Sequence, residues 1–267
     1  MQHRLGLDNC GLVFDSNIGC TGFPFGIQLA CANIMAGCQR LLLLIGDADP
    51  IRGWNGSVSK DSLRFGDCRI AVIVEKPEQT PPIRIALHSI GKGYKAIMMP
   101  YGGYRHPLSE FYRERGEKGM EAWAAVNGAV LEGADVFSFS IIDGPKTAKK
   151  FFQHFGGGLE DYDLISVHQA NKMIVDNVVK RIKAPADKVI SSLKWYGNTR
   201  GSSTAINICD YAMRKDVYTG TKRILNLAFG IGLHVAVADF ELDMSRCLPI
   251  IKTTEAFNDE IDNYTYF

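Results

Sequence analysis

Strand-like and helix-like segments alternate along this chain, and the alternation restricts the fold more than any other feature. Residues 11–18 form a short apolar run ended by Gly19, which favours a buried strand. Apolar residues then recur every three or four positions from Phe23 to Cys38, which is helical spacing. Residues 41–45 are continuously apolar, as in a strand covered on both faces of a parallel sheet. The pattern predicts a β-α-β unit over residues 11–46.

The remainder of the chain repeats this alternation, which predicts an α/β layered fold. A glycine- and tyrosine-rich loop is expected over residues 91–107, and a solvated helix or loop over 109–119. The tail from residue 241 has no clear period and ends in a polar, acidic run that is expected to be loosely held. We further expect strands at 69–75, 83–88 and 163–167, an extended segment at 188–193, helices at 143–155, 171–182 and 202–214, and a final hairpin of 223–227 with 235–240.

The charge balance excludes one broad class of partner. The 30 basic and 29 acidic residues leave a net charge of +1, without the basic face that nucleic-acid binding needs. The longest uninterrupted apolar runs, such as residues 41–45, are far shorter than the roughly 20 residues of a membrane-spanning helix. The first residues do not resemble a signal peptide. We therefore expect a cytoplasmic protein that binds neither nucleic acid nor membrane.

The cysteine and histidine patterns do not support a metal site. The seven cysteines include no CxxC pair, and the six histidines are widely spread without an HExxH motif. Asp47 and Asp49 follow a predicted strand and could hold Mg²⁺, but carboxylates at a strand end are more often solvated. We expect no metal, and cysteines that are mostly reduced and buried.

Cys20 differs from the other cysteines in its position. It lies just after Gly19, between a predicted strand and a predicted helix. Unpaired backbone N–H groups and the helix dipole at such a turn favour the thiolate and are expected to lower the pKa of the thiol. The alternative is a buried structural cysteine. Position makes Cys20 a stronger candidate for a nucleophile than the other cysteines, but it does not decide between the two.

His168 and Asn198 are two further polar residues at the ends of predicted elements. His168 follows the apolar strand 163–167 and precedes a helix, where a histidine is usually a satisfied polar residue. Asn198 lies in a Gly-Asn turn, which by itself indicates a turn and nothing more. Each residue alone is compatible with an ordinary structural role.

Taken together, four motifs resemble the β-ketoacyl-acyl carrier protein synthase III branch of the thiolase superfamily in their order and spacing. Residues 63–67 (LRFGD) also match a Phe-Gly-Asp segment of that family, and the resemblance runs from about residue 5 to about residue 240. The motifs are Gly19-Cys20-Thr21-Gly22-Phe23, Val167-His168-Gln169-Ala170-Asn171, Gly197-Asn198-Thr199 and Phe229-Gly230-Ile231-Gly232.

The resemblance implies a duplicated, thiolase-like layered α-β-α-β-α fold with the reaction centre between the halves. It assigns residues 1–80 to the remainder of an amino-terminal half, residues 81–240 to a carboxy-terminal half and residues 241–267 to a tail. The family carries a long segment before its cysteine, so the amino-terminal half is expected to be incomplete. Either Met1 is not the natural start, or a partner chain covers the exposed surface, or the chain is a degenerate relative.

The resemblance also implies a reaction. The chain would be an acyltransferase that condenses an acyl-CoA with malonyl-acyl carrier protein, with loss of CO₂, in fatty acid or related acyl biosynthesis. Cys20 would carry the acyl group as a thioester, and His168 and Asn198 would stabilise the enolate. The backbone N–H of Cys20 and one from the loop Gly230, Ile231 and Gly232 would form a separate oxyanion site.

Binding partners follow from the same resemblance. Acyl-CoA and acyl carrier protein are the expected partners, the CoA thioester acts as substrate, no cofactor is required, and a homodimer is expected. Phe23, Asn171 and Arg200 are expected at substrate-binding positions. Arg200 stands where a small side chain is typical, so it is expected to change the acyl group accepted. Met173 replaces a basic residue that family members often carry, which weakens the expectation of carrier-protein docking there.

Three alternatives stay open from the sequence. A shortened homologue could be a non-catalytic subunit in a heterodimer with a complete one, although intact Cys20, His168 and Asn198 argue against that. The acyl group could pass to an oxygen or nitrogen acceptor. The order Cys, His, Asn is also that of papain-like cysteine peptidases, but the residues flanking Cys20 and the alternating strands and helices argue against a peptidase.

Overall fold

The computed structural model describes residues 1–47, 65–76, 81–125 and 129–254, with the backbone alone at residues 124 and 125. Among the described helices, none combines the length and hydropathy that a membrane-spanning segment requires. The helices are α1 (Gly22–Met35), α2 (Leu108–Ala125), α3 (Gly133–Phe155), α4 (Lys172–Ile182), α5 (Leu193–Tyr196) and α6 (Ser203–Lys215). The strands are β1 (Arg40–Asp47), β2 (Cys68–Glu75), β3 (Arg84–Ser89), β4 (Ile97–Met98), β5 (Val130–Leu131), β6 (Leu164–Val167), β7 (Val189–Ile190), β8 (Thr221–Gly230) and β9 (His234–Asp243).

A mixed five-stranded sheet lies at the centre of the structure, in the order β3-β9-β8-β6-β7. β6 pairs in parallel with β7 and β8, whereas β9 pairs antiparallel with β8 and β3. All four residues of β6 are buried. The register places Val167 opposite Leu227, so the end of β6 lies beside the end of β8. Residues that follow these two strands therefore meet at one edge of the sheet.

Helices cover both faces of this sheet. On one face, Phe151 of α3 and Ile174 of α4 pack with alternate side chains of β8 such as Leu227. On the other face, Ile208 of α6 packs against Ile224 of β8. α1 lies on this second face as well, and the sheet of β1 and β2 packs on the outer side of α1. The order of layers is therefore α-β-α-β, which confirms the predicted α/β layered fold.

α1 forms where the helical spacing predicted it, because its apolar residues fall on one side. Phe23, Ile27 and Ala30 are buried on that side. Pro24 is tolerated because it lies in the first turn, where the backbone N–H has no helical partner. Gly26 lets β1 approach closely, since a Cβ there would lie 2.7 Å from a methyl carbon of Leu43. The contact fixes the helix that follows Cys20 against β1.

The strand predicted over residues 11–18 is wrong. These residues form neither helix nor strand, and Leu12, Val13 and Phe14 are exposed. A strand requires a hydrogen-bonded neighbour. Within the described residues β1 and β2 pair only with each other, so residues 11–18 are not a strand of their sheet.

β1 confirms the strand predicted at residues 41–45, but its predicted surroundings are wrong. β1 pairs antiparallel with β2, and burial alternates from one residue to the next. The inner face packs on α1, whereas Leu42 and Leu44 on the outer face are exposed. The continuous apolar run is therefore not a parallel strand covered on both faces, and the β-α-β unit over residues 11–46 is wrong with it.

Most other predicted elements are confirmed with shifted ends. β2, β3, β6, α4, α6 and the hairpin of β8 and β9 lie where the patterns predicted them. The segment at 109–119 is part of α2, and α3 begins at Gly133 instead of residue 143. The extended segment at 188–193 is shorter than predicted, because α5 already begins at Leu193. The loop at 91–107 contains a 3₁₀ helix, Gly91–Ala96, and the short strand β4.

The beginning of the tail is packed, although its sequence has no clear period. The acidic run predicted to be loosely held is at the end of the tail. β9 continues to Asp243, and Met244 and Cys247 are buried in a cluster with Ile208 and Ile224. Apolar side chains in this stretch therefore complete the core beneath α6. Residues 255–267 lie outside the described part of the chain, and the assignment of residues 1–80 and 81–240 to two halves stays a prediction.

A buried carboxylate joins three strands of the central sheet. Asp239 of β9 accepts from Arg84 of β3 and, at 3.0 Å, from Arg223 of β8. The Tyr162 hydroxyl donates to the same carboxylate at 2.6 Å, and Arg84 also donates to the carbonyl of Phe155 at the end of α3. Burial by itself opposes the charge on Asp239, but these hydrogen bonds hold the pKa of the carboxyl below its usual value. Asp239 therefore stabilises the fold at neutral pH, and this contribution is lost as the pH falls through the lowered pKa.

We expect Asp239→Asn to lower the free energy of unfolding by about 3 kcal/mol, because two arginines lose their buried partner charge. Asp176→Asn is the matched control, since Asp176 pairs with Lys172 at an exposed position and such pairs contribute less than about 1 kcal/mol. Urea unfolding followed by circular dichroism at pH 7 measures both. Equal effects of the two substitutions would contradict the role of Asp239.

Candidate active site

His168 lies directly after β6 and is buried. Its backbone N–H donates to the carbonyl of Leu227 at 2.8 Å, which continues the pairing of β6 with β8. Its Nδ1 lies 2.6 Å from Oγ of Ser203, and the ring makes an edge-to-face contact with Phe229 at 5.4 Å between centroids. Burial lowers the pKa of His168 to about 3. The imidazole is therefore neutral at physiological pH, with one ring nitrogen as donor and the other as acceptor.

Two buried amides fix the backbone on either side of His168. Gln169 donates to the carbonyl of Val167 at 2.6 Å and accepts from the backbone N–H of Leu193 at 3.3 Å. Asn207 of α6 accepts from the N–H and the hydroxyl of Ser192 at 2.9 and 2.7 Å, and it donates to the carbonyl of Val167 at 3.2 Å. The end of β6 is thereby tied to α6 and to the segment that leads to Asn198.

Asn198 is held by a close approach of two backbone segments. Its Oδ1 accepts from the N–H of Arg200 at 2.9 Å, so the side-chain NH₂ group is the end that can donate to a ligand. Its carbonyl accepts from the N–H of Gly66 at 3.0 Å. A Cβ on Gly66 would lie 1.9 Å from the carbonyl oxygen of Tyr196, so this position requires glycine. Gly66 belongs to the Phe-Gly-Asp segment, of which residues 63 and 64 lie outside the described chain.

Cys20 packs directly on the turn between β8 and β9. A Cβ on Gly230 would lie 2.5 Å from Cβ and 2.9 Å from Sγ of Cys20, and a Cβ on Gly19 would lie 2.4 Å from a methyl group of Ile231. The backbone N–H groups of Ile231 and of Cys20 itself interact with the sulfur. Gly232 has φ 139°, in the region that favours glycine. The turn therefore places the backbone N–H of Ile231 at the sulfur of Cys20.

The lowered pKa predicted for Cys20 is wrong for the free protein. Burial, followed by the charge of Asp47, raises the pKa of the thiol to about 11, and the opposing effects of Arg200 and of the N–H of Ile231 are smaller. α1 begins only at Gly22, so Cys20 precedes the helix. Desolvation outweighs the electrostatic benefit expected from a helix start. The resting state is the thiol.

Asp47 is a neighbour of the site that the sequence suggested only as a magnesium ligand. It ends β1, and its Oδ2 accepts from the backbone N–H of Gly201 at 3.0 Å. The carboxylate therefore anchors the turn after Asn198 and at the same time disfavours the thiolate of Cys20. Asp49 lies outside the described residues. Among the described residues, no three His, Cys, Asp or Glu side chains group as a metal site.

Packing contacts bring the three predicted catalytic residues to one place. Gly201 lies in the turn after Asn198. A Cβ there would lie 3.1 Å from the carbonyl oxygen of Gly19, the residue before Cys20. Cys20 in turn lies against Gly230, and Phe229, the residue before Gly230, contacts the ring of His168. The ends of β6 and β8, the turn at Asn198 and the start of α1 therefore surround a common point.

Phe23 and Asn171 have structural contacts that the sequence did not predict. Phe23 is buried and packs edge-to-face on Phe240 at 5.9 Å, in the core beneath α1. Asn171 is the N-cap of α4, where its Oδ1 accepts from the N–H of Ile174 at 2.9 Å. These contacts explain both residues without a ligand, and substrate binding by them stays a prediction.

Arg200 lies at the site with a left-handed backbone, φ 50°. Its guanidinium stacks over the ring of Phe65 at 4.2 Å, and its charge lowers the pKa of Cys20 against the stronger effects that raise it. The side chain is thus an electrostatic neighbour of the sulfur. An effect of Arg200 on the acyl group stays a prediction.

Ser203 and Asn207 were missed by the sequence analysis. Both lie on the buried side of α6, and with Asp210 they recur every three or four residues. This spacing of polar residues, on a helix that also carries Ile206 and Ile208, is the sequence signal that points to Ser203 and Asn207. It indicates a polar stripe facing inwards, because a polar side chain is normally buried only with hydrogen-bond partners.

Two family models match separate parts of the chain. The model described as 3-oxoacyl-[acyl-carrier-protein] synthase III matches residues 14–91, and the model of the carboxy-terminal part of the same synthase matches residues 153–242. The first contains Cys20, and the second contains His168, Asn198 and the turn at Gly230.

Whole proteins and solved structures show the same likeness. A β-ketoacyl-[acyl-carrier-protein] synthase III of Caldanaerobacter subterraneus subsp. tengcongensis is 33% identical over 87% of this chain and 67% of its own length, and one of Acaryochloris marina is 31% identical over 86% and 67%. A crystal structure of a 3-oxoacyl-(acyl-carrier protein) synthase from Burkholderia xenovorans has a TM-score of 0.77 at 25% identity, covering 91% of this chain and 68% of that one. The priming β-ketosynthase of the R1128 polyketide pathway has a TM-score of 0.72 at 25% identity, covering 90% and 68%.

We expect Asp47→Asn to lower the pKa of the Cys20 thiol, because the substitution removes the charge that opposes the thiolate and keeps an oxygen for the N–H of Gly201. Carbamidomethylation of the Cys20 peptide at pH 8, followed by mass spectrometry, should become several-fold faster. In the unaltered protein the rate should keep rising between pH 8 and pH 10.

Asp176→Asn serves as the control, because Asp176 lies on α4 and pairs with Lys172 at the surface. It removes the same charge and should leave the labelling rate of Cys20 unchanged. A rate in Asp47→Asn equal to that of the control would contradict the electrostatic role of Asp47.

Proposed function

Because the chain belongs to the 3-oxoacyl-acyl carrier protein synthase III family of acyltransferases, we propose that it catalyses a decarboxylating condensation of an acyl-CoA with a malonyl-acyl carrier protein. The fold expected from the sequence resemblance, a thiolase-like layered α/β fold, is confirmed by the structural matches. The chain spans about two thirds of the length of the relatives it matches. The steps below are proposals about this chain.

In the first step Cys20 takes the acyl group. Its sulfur attacks the thioester carbonyl, the new bond from that carbon to Sγ forms, and the bond to the CoA sulfur breaks. The proton of the Cys20 thiol ends on the released CoA thiol, so the step is balanced without a further reagent. The N–H groups of Ile231 and Cys20 face the sulfur and would donate hydrogen bonds to the developing oxyanion. A high thiol pKa makes this step faster as the pH rises.

In the second step the malonyl group loses CO₂. The electrons of the breaking carbon–carbon bond form an enolate whose oxygen requires hydrogen-bond donors. Neutral His168 and the NH₂ group of Asn198 are two such donors. The enolate carbon then attacks the acyl carbonyl, and the Cys20 sulfur leaves as a thiolate, which takes up a proton from water to restore the resting thiol. Neutral donors suit this step because they stabilise the developing charge without titrating near neutral pH.

One observation carries the proposal more than any other. A buried neutral histidine and an asparagine with its oxygen already engaged lie at the same edge of the sheet as a cysteine whose sulfur meets two backbone donors. A thiol nucleophile and two sets of neutral donors are what a decarboxylating condensation needs. This arrangement supports a catalytic chain over a non-catalytic subunit, because structure alone does not require all three residues.

Partners, assembly and location follow from the family and stay proposals. The carrier protein is proposed as the donor partner. Met173, which is exposed, stands where relatives often carry a basic residue, and this replacement weakens the case for docking at that position. A homodimer in the cytoplasm is proposed on the same ground, and the exposed side chains of Leu42, Leu44 and Ile73 on the outer face of β1 and β2 support contact with another chain. CoA enters as part of the substrate, with no further cofactor proposed.

We expect the purified chain to gain the mass of one acyl group when incubated with acetyl-, butyryl- or octanoyl-CoA and weighed intact. Cys20→Ala should abolish the gain, because the nucleophile is removed. Cys31→Ala is the matched control, since Cys31 lies further along α1 and should not affect acylation. No mass gain in the unaltered chain, or a gain that survives Cys20→Ala, would contradict the proposal.

We expect His168→Ala and Asn198→Ala each to slow decarboxylation of the malonyl thioester by roughly 10²- to 10³-fold, because each removes one donor to the enolate. Acylation of Cys20 should continue in both variants, since neither residue is proposed to act in that step. Release of CO₂ and intact mass measure the two steps separately. Loss of acylation with unchanged decarboxylation would reverse the assignment.

A further inference from the structure

Ser203 is the first residue of α6 and has no part in the chemistry described so far. It is 1% exposed, and His168 is 2% exposed, so the hydrogen bond of 2.6 Å between Oγ and Nδ1 lies out of contact with water. Ser202, the preceding residue, donates instead to the carbonyl of Thr199 at 2.8 Å. Ser203 therefore has a contact with the catalytic histidine that its neighbour in sequence does not share.

The direction of this hydrogen bond follows from the hydrogen inventory of the two groups. A neutral imidazole offers one N–H and one lone pair, and a hydroxyl offers one O–H. Within the described residues, Nδ1 of His168 is the hydrogen-bond partner found for Oγ of Ser203. If Nδ1 carried the proton and donated to Oγ, the hydroxyl hydrogen would be buried without an acceptor, which is unfavourable. If Ser203 instead donates to Nδ1, the hydroxyl hydrogen has an acceptor, and no hydrogen at this contact is left without a partner.

We propose that Ser203 is a positioning residue that donates to Nδ1 of His168 and thereby places the ring proton on Nε2. The ring is held on its other side by the edge-to-face contact with Phe229. Nε2 lies across the ring from Ser203 and becomes the donor for the enolate oxygen. The opposite tautomer would present a lone pair to that oxygen and would repel it. The inference rests on the proposed condensation for its catalytic consequence, but the tautomer itself does not.

The test has a spectroscopic part that requires no turnover. In protein labelled with ¹⁵N-histidine, long-range ¹H–¹⁵N correlation distinguishes an Nε2–H from an Nδ1–H imidazole, and His168→Gln assigns the signal. We expect the unaltered protein to show His168 as the Nε2–H tautomer at pH 7. Ser203→Ala should remove that preference, and Ser203→Thr, which keeps the hydroxyl, should restore it. An Nδ1–H tautomer in the unaltered protein would overturn the proposal whether or not any variant folds.

The kinetic part separates a positioning role from a merely structural one. Ser203→Ala should slow decarboxylation of the malonyl thioester at least ten-fold and leave acylation of Cys20 by acyl-CoA unchanged. Ser140→Ala is the matched control, because Ser140 is equally buried but bonds to the carbonyl of Val136 within α3. It should change neither rate.

The outcomes are distinguishable. Slower decarboxylation with an unchanged tautomer, or an equal loss of both rates, would overturn the role of Ser203. Failure of Cys20 to take an acyl group in the unaltered chain would instead defeat the proposed function, and the tautomer result would still stand or fall by itself.

Discussion

The close packing of the turn at Cys20 on the turn between β8 and β9 is the constraint on which the site depends. Side chains are excluded at Gly19 and Gly230, because a Cβ at either position would overlap Ile231 or Cys20. Only without those side chains can the backbone N–H of Ile231 reach the sulfur. The same approach buries the thiol and raises its pKa, so the donors that suit an oxyanion come with a resting state that is protonated. Reactivity at this cysteine is therefore a balance between desolvation and backbone hydrogen bonds.

A second constraint fixes the charge and the position of His168 independently of Cys20. His168 is neutral because it is buried, and its backbone is held in place because Gln169 and Asn207 tie the end of β6 to α6 and to the segment before Asn198. The neutral side chains of His168 and Asn198 form one region of hydrogen-bond donors, and the backbone N–H groups at the thiol form a second. The first would hold an enolate, and the second a tetrahedral oxyanion. Two steps of one reaction can then be stabilised without either region changing its charge.

Much of this was predictable from the sequence, and the failures have physical causes. Helical spacing predicted α1, α4 and α6, and the motifs predicted Cys20, His168 and Asn198, which the fold brings together, because those patterns are local. The strand at residues 11–18 and the parallel surroundings of β1 were wrong because strand pairing depends on which chain segments are neighbours. The pKa of Cys20 was wrong in direction because it is raised by burial and by the charge of Asp47, and the contacts of Cys20 with segments distant in sequence, such as Gly230, do not show in the local motif. Ser203 was missed because its partner is known only once α6 is placed beside β6.

The central claim is that Cys20 carries an acyl group whose carbonyl faces the backbone of the β8–β9 turn, away from His168 and Asn198. A crystal structure of the chain after acylation by acetyl-CoA tests it most directly. We expect continuous density from Sγ of Cys20 to the acyl group, with the carbonyl oxygen about 3 Å from the N–H groups of Cys20 and Ile231. An acyl oxygen hydrogen-bonded to His168 or Asn198, or an acyl group on another residue, would contradict the account.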